Sequence, residues 1–313
     1  MRFSVTVPAY KRRYLAECIE SVLAQTCADF ELIIVNDASP EDLDSVVKSY
    51  HDPRIRYFVN KKNCGAVNVV DNWNICLSHA KGDYLICMGD DDRLLPNCLE
   101  EYNKLIEAYP GLGVYHAWTE IINEKSEVID MQEPRPLRED VYSMIWHRWH
   151  GRMQFIGDFL FNRALLLKNG GFYKIPLAWG SDDISTFIAA KDTGIANGQT
   201  PMFQYRRNAQ NISQTGNYKL KMETVNIMEH WYKKFFETTP MNASVPTYTY
   251  WRLCKERLPF QMSKKRVGEI CGSLNHSMLS RLIYFIRNQK RYHINMKHIG
   301  YAWIENMKTR FKE

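Results

Sequence analysis

Three groups of carboxylates stand where they can do chemistry. Gly89-Asp90-Asp91-Asp92 follows the apolar run YLICM at 84–88. Adjacent carboxylates at the end of a buried strand repel one another, and a hard cation such as Mg²⁺ or Mn²⁺ supplies the counter-charge. Magnesium takes one or two protein carboxylates and completes its shell with substrate phosphates, so the run suggests a metal–diphosphate site. The same residues also read as a solvated acidic turn ahead of a helix near Pro96. Asp37 follows the run FELIIV at 30–35 in the turn VNDAS. It can accept hydrogen bonds from a nucleobase, or merely close the turn. Trp179-Gly180-Ser181-Asp182-Asp183 precedes a helical stretch. One aspartate there suits an N-cap. The other, in a partly apolar cleft, can take a proton from an acceptor hydroxyl.

The surrounding pattern supplies the elements to hold these groups. Residues 3–8, 30–35, 55–60 and 84–88 read as strands, the second and fourth as continuous apolar runs typical of buried parallel strands. Between them, 13–25, 41–50 and 66–80 have helical spacing, with Pro40 at one start and Gly82 beyond one end. Alternation of this kind predicts a doubly wound α/β sheet with helices on both faces. Ligands bind such sheets at the carboxyl edge of the strands, where both Asp37 and the acidic triplet fall. Further on, 112–118 and 120–129 read as strands, 133–138 as a loop, and 153–167 as a strand leading into a helix. Gly170-Gly171 breaks the chain before Phe172. Beyond about residue 216 the pattern turns helical, giving an expected division into 1–215 and 216–313.

Charge divides the same way. From Arg252 onward there are fourteen Lys/Arg and four Glu, whereas the whole chain nets only +6. The preceding residues are therefore net acidic. Basic residues in the tail alternate with Leu279, Ile283, Ile286, Tyr301 and Trp303. Such helices can lie on an anionic membrane face, or pack on a catalytic domain with their charges in water. Zinc-finger and RNP-like patterns are absent, so no nucleic-acid partner is expected. No run of 18 or so apolar residues suggests a membrane span, and no leader pattern precedes the first strand. The eight cysteines lack CxxC or zinc-like spacing and read as reduced thiols of a cytoplasmic protein.

Taken together, the segments resemble the large inverting family two glycosyltransferases of the GT-A fold, of the bacterial surface-polysaccharide type. The resemblance runs through VTVPAY at 5–10, SVLAQT at 21–26, FELIIVNDAS at 30–39, Asn63-x-Gly65 and Asn72-Trp73-Asn74. It continues through AKGDY at 80–84, the acidic triplet up to Pro96, GGF at 170–172 and the aspartate pair. It covers about residues 1–215. The resemblance implies that Pro8, Ala9 and Tyr10 line the base and ribose, that Asp37 contacts the nucleobase, and that Asn74 belongs to the nucleotide-sugar site. It implies that Asp91 binds Mn²⁺ or Mg²⁺, with Asp92 steering the metal shell and Asp90 on the ribose or a metal water. Asp183 is implied as catalytic base, with Asp182 second. Arg206 or Arg207 could hold the diphosphate, or both could be surface charges. A UDP-sugar donor and a glycan or lipid-linked acceptor follow, with inversion at the anomeric carbon. Three departures stand out. Gly89 replaces the first aspartate of the family's DxD, Ala38 stands where glycine is common, and Asn208 stands where relatives often carry a metal-binding histidine. They leave open an inactive module that binds sugar nucleotides without turnover.

Overall fold

The computed structural model describes residues 1–208, 217–275 and 277–310. It forms two compact units, Met1–Ile212 and Ser213–Glu313. The boundary expected at 215/216 falls within 209–216, outside the described residues.

In the first unit, strands and helices alternate: β1 (Phe3–Ala9), α1 (Leu15–Leu23), β2 (Phe30–Asn36), α2 (Leu43–Lys48), β3 (Ile55–Val59), α3 (Val69–His79) and β4 (Tyr84–Cys87). A two-residue strand β5 (Arg93–Leu94) leads to α4 (Cys98–Ala108). Then come β6 (Val114–Ile122), β7 (Val128–Met131), β8 (Arg138–Glu139), α5 (Val141–Trp149), β9 (Phe159–Asn162), α6 (Arg163–Lys168), α7 (Ser181–Ala190) and β10 (Ile195–Arg206). All strands join one sheet in the order β3-β2-β1-β4-β9-β6-β10-β5, with β7 on β6 and β8 on β10. The sheet is mixed. β3-β2-β1-β4 is parallel throughout, β9 enters antiparallel between β4 and β6, and β6 pairs parallel with β10.

Every residue of β2 is buried, and so is every residue of β1 except Pro8. Both faces of these strands are therefore covered, and the polar residues among them are hydrogen-bonded: Ser4 Oγ donates to Glu31 Oε1 at 2.7 Å and Thr6 Oγ1 to Ile86 O at 2.9 Å. Gly82 lets β4 come in close. A Cβ there would lie 2.6 Å from the Phe3 carbonyl carbon, and the Gly82 amide instead donates to Ser4 Oγ at 2.8 Å. The register Phe3↔Tyr84 to Thr6↔Cys87 brings the end of β4 level with the end of β1, and the Met88 amide donates to Thr6 O at 3.0 Å. The acidic triplet thus leaves the sheet beside Pro8–Tyr10.

The strands expected over 112–118 and 120–129 are one continuous strand, β6, plus its hairpin partner β7. The 133–138 segment runs without regular structure until it meets β8. The helix expected near Pro96 is α4, whereas α5 and β10 are additions to the elements read from sequence.

The second unit contains α8 (Tyr218–Phe235), α9 (Val245–Leu274), α10 (Met278–Arg287) and α11 (Met296–Arg310). Its core gathers Met222, Ile270, Phe285, Tyr292, Ile294, Ile299 and Ala302. Among the described residues no helix is long and apolar enough to cross a membrane.

Candidate active site

The site is built from loops at the carboxyl ends of β1, β2 and β4. Asp90 Oδ2 accepts the amides of Tyr10 at 2.6 Å and Lys11 at 2.7 Å, fastening the acidic loop to the loop after β1. Asp37 is buried, and its own amide donates to Ala9 O at 2.9 Å. Its Oδ1 accepts from Asn60 Nδ2 at 2.8 Å and from the Cys64 amide at 3.0 Å. Ala38 takes φ 49° in this turn, a left-handed conformation that L residues other than Asn and Asp rarely adopt. Ser39 closes the ring by donating to Tyr10 O at 2.6 Å. The tyrosine side chain itself is exposed.

The three acidic neighbours have different surroundings. Asp92 is buried. Its Oδ1 accepts the Arg206 amide at 2.9 Å and its Oδ2 accepts the Gly89 amide at 3.2 Å. Asp91 is half-buried. Its backbone oxygen accepts from Arg206 Nε at 2.8 Å and its Oδ2 from Asn208 Nδ2 at 2.6 Å. Burial, and then the Asp91 charge, push Asp90 up to about 6 and Asp92 well above the ordinary carboxylate range. Crowding of like charge at low dielectric is what a bound cation relieves.

Among the described residues no three His, Cys, Asp or Glu side chains form a metal cage. The donor set consists of one half-buried carboxylate, Asp91, beside the Asn208 amide. That set fits a divalent cation that draws most of its ligands from substrate phosphates, as magnesium commonly does.

Asp183 lies in the first turn of α7 and is 4% exposed. Its Oδ1 accepts from Arg148 Nε of α5 at 2.8 Å and from Gln154 Nε2 at 2.6 Å. The strap 152–155 that carries Gln154 is itself fixed. Arg152 Nη1 donates to both Glu139 oxygens at 2.8 Å. Met153 O accepts from Gln132 Nε2 at 3.2 Å and Arg135 Nη2 at 3.0 Å. Asp182 precedes it, half-buried, with its carbonyl accepting from Thr186 Oγ1 at 2.8 Å. The lead-in to α7 is a run of unusual backbone: Leu177, Ala178 and Gly180 have φ of 62°, 53° and 105°. Its first turn, Pro176–Ala178, packs on α3 and on the short helical turn Ala66–Asn68. That turn begins two residues after Cys64, whose amide holds Asp37. The lead-in to the aspartate pair therefore packs beside the turn that follows Cys64.

Three expected ligands of donor or metal have other work. Asp92 is buried and each of its oxygens accepts a backbone amide, so it braces the loop. Arg206 is fully buried. Beyond Asp91 O, its guanidinium reaches Asn123 O at 3.0 Å, Ser126 Oγ at 2.9 Å and Glu17 Oε2 at 2.9 Å. It also lies 4.0 Å from the Tyr14 ring centroid. It ties β10 to the acidic loop and offers no accessible face to a diphosphate. Asn74 staples α3 to the GGF turn, accepting the Phe172 amide at 2.8 Å and donating to Phe172 O at 3.2 Å. Arg148, Gln154, Asn60 and Cys64 were not among the residues expected from sequence. Neither residue type nor spacing marks them, because each reaches its aspartate across 23 to 35 residues.

A family model described as glycosyl transferase family 2 matches residues 4–169, more than half the chain. The chain belongs to glycosyl transferase family 2. Among similar proteins, a glycosyltransferase of Haemophilus influenzae is 36% identical over 124 residues, covering 39% of this chain and 40% of that protein. WcaA of Escherichia coli, named for colanic acid biosynthesis, is 40% identical over 102 residues, covering 32% and 36%. The chain spans about half or less of the length of the curated relatives it matches. In fold it resembles Staphylococcus aureus TarS 1–349 in complex with UDP-GlcNAc, with TM-score 0.60 at 16% identity over 100% of this chain and 93% of that one. A mannosyltransferase of Pyrobaculum calidifontis in complex with GDP-Man and Mn²⁺ gives TM-score 0.51 at 16% identity, over 98% and 87%. These likenesses establish the GT-A architecture: a mixed sheet flanked by helices, followed by a helical region.

Proposed function

We propose that this protein transfers a sugar from a nucleotide-diphosphate sugar, with a UDP-sugar the first choice, to a hydroxyl of a glycan or lipid-linked acceptor. Surface-polysaccharide synthesis is the setting we favour, and the name of WcaA supports it. The eight free cysteines support a reducing compartment such as the cytoplasm. The observation that carries the reading is the clamp between the acidic loop and the β1 loop. Asp90 seals the two together and leaves Asp91 as the half-buried carboxylate at the sheet edge.

In this reading Asp37, held by Asn60 and the Cys64 amide, meets the nucleobase, and Pro8–Tyr10 line base and ribose. Asp91, with Asn208 beside it, would hold Mn²⁺ or Mg²⁺. Such an ion, when bound, neutralises charge on the departing diphosphate. Asp183 takes the proton of the acceptor hydroxyl, whose oxygen displaces the nucleoside diphosphate in one step with inversion. Arg148 and Gln154 hold Oδ1 of Asp183 and so orient the carboxylate. Asp182 is the second candidate for the base.

The test incubates the protein with UDP-, GDP- and dTDP-sugars, with Mn²⁺ or with EDTA, and follows nucleoside diphosphate release and product configuration. Release from one donor that stops with EDTA, together with an inverted product, is the expected result. Binding of a donor without release in the presence of varied acceptors would favour a second reading, an inactive sugar-nucleotide module. The bracing of Asp92 and the asparagine at 208 are what support that alternative.

A further inference from the structure

α10 is apolar on two faces. Its inner face sets Phe285 into the core of the helical unit, with Leu282 and Tyr284 packed against that core. Its outer face carries Leu279, Ile283 and Ile286, at i, i+4 and i+7, exposed to 73%, 42% and 44%. A helix apolar all round is normally covered on every side. Here Arg287 ends the helix next to this stripe and Lys290 follows in the turn beyond it, both exposed.

The charge along this stretch of chain has one sign. From Met278 to Ile304 there are five Lys/Arg and no Asp or Glu. Two of the five are occupied within the unit: Arg291 pairs with Glu223 of α8, and Arg281 lies 3.7 Å from the Tyr218 ring centroid. Arg287, Lys290 and Lys297 have no carboxylate within ion-pair distance among the described residues. α11 adds exposed Tyr301, Trp303 and Ile304 to the same acid-free stretch.

We infer that the outer face of α10 seats the protein on an anionic phospholipid surface, with Leu279, Ile283 and Ile286 entering the interface and Arg287 and Lys290 on lipid phosphates. A three-residue apolar stripe bordered by cations suits a helix lying in the headgroup region. Charge complementarity selects this occupant. A second copy of the chain would oppose cations to cations across a two-fold contact. A nucleic acid would satisfy the cations and leave the aliphatic stripe in water.

The full-length chain is sedimented with vesicles of phosphatidylglycerol and phosphatidylcholine, and with vesicles of phosphatidylcholine alone. The expected result is co-sedimentation with the anionic vesicles only, weakened by added salt. Arg287→Gln with Lys290→Gln should lower partitioning about 25-fold, at ~1 kcal/mol per cation. Leu279→Ser with Ile283→Ser and Ile286→Ser should abolish it with the helical circular dichroism unchanged. If the serine variant misfolds, the glutamine pair, which alters only exposed side chains, decides alone. Absence of binding to anionic vesicles, or equal binding to both kinds, would overturn the inference. So would self-association of the lipid-free protein that the serine substitutions remove. The readout needs no turnover, so it stands or falls apart from the proposed reaction.

Discussion

Arg148 and Gln154 converge on one oxygen of Asp183, and this fixes which way the carboxylate faces. Gln154→Ala removes a 2.6 Å bond from a residue buried in the strap 152–155. If Asp183 is the base, kcat should fall by up to about a hundredfold while the Kd for donor is unchanged, the signature of a misplaced catalytic group. Steady-state kinetics beside donor titration checks both halves. Asp92→Ala should act on stability instead. It leaves the Arg206 and Gly89 amides without acceptors, a loss of ~1–3 kcal/mol that thermal melting reads. Which of three adjacent aspartates faces the donor could not be read from their order alone. Arg206, 114 residues from Asp92, separates them by taking one Asp92 oxygen with its amide and holding the Asp91 carbonyl, while the Asp91 carboxylate accepts from Asn208. Asp37 was easier to place, because a carboxylate just past a buried strand has few other positions to occupy.

Among the elements, the parallel half of the sheet was legible because β2 and β4 are short apolar runs between helical segments and β1 is a short β-prone run ahead of them. β10 was not. Its twelve residues include buried Asn197, Gln204 and Arg206, and buried polar contacts replace the apolar signal. The GGF turn shows how an element boundary can pass for a binding residue. Asn74 was expected in the nucleotide-sugar site, yet both ends of its amide serve Phe172. Asn74→Ala is therefore predicted to cost ~1–3 kcal/mol of stability and to leave donor affinity unchanged. Gly171 belongs to the same joint. It has φ +85°, and a Cβ there would lie 2.4 Å from Asn74 Oδ1. Gly171→Ala should destabilise by at least ~1 kcal/mol from the left-handed backbone alone. Melting curves of both variants test the joint.

Over the whole molecule the two units answer to pH differently. Burial pushes Glu229 up, but Arg266 and Lys233 outweigh it and hold the carboxyl at about 2, against an ordinary 4.5. A depressed folded value means that the stabilisation is complete above pH 4.5 and is lost as pH falls from there through about 2. The helical unit should melt progressively lower across that window, and Glu229→Gln should flatten the dependence. Asp90 and Asp92, both raised, belong to the acidic loop of the other unit. The functional account itself rests on Asp91 as the carboxylate through which cation and donor meet. Calorimetric titration of UDP into wild-type protein and Asp91→Asn, each with Mn²⁺ and with EDTA, tests it most directly. The account predicts Mn²⁺-dependent binding in the wild type and none in the variant, with the two proteins melting alike. Mn²⁺-dependent binding that survives in Asp91→Asn would contradict it.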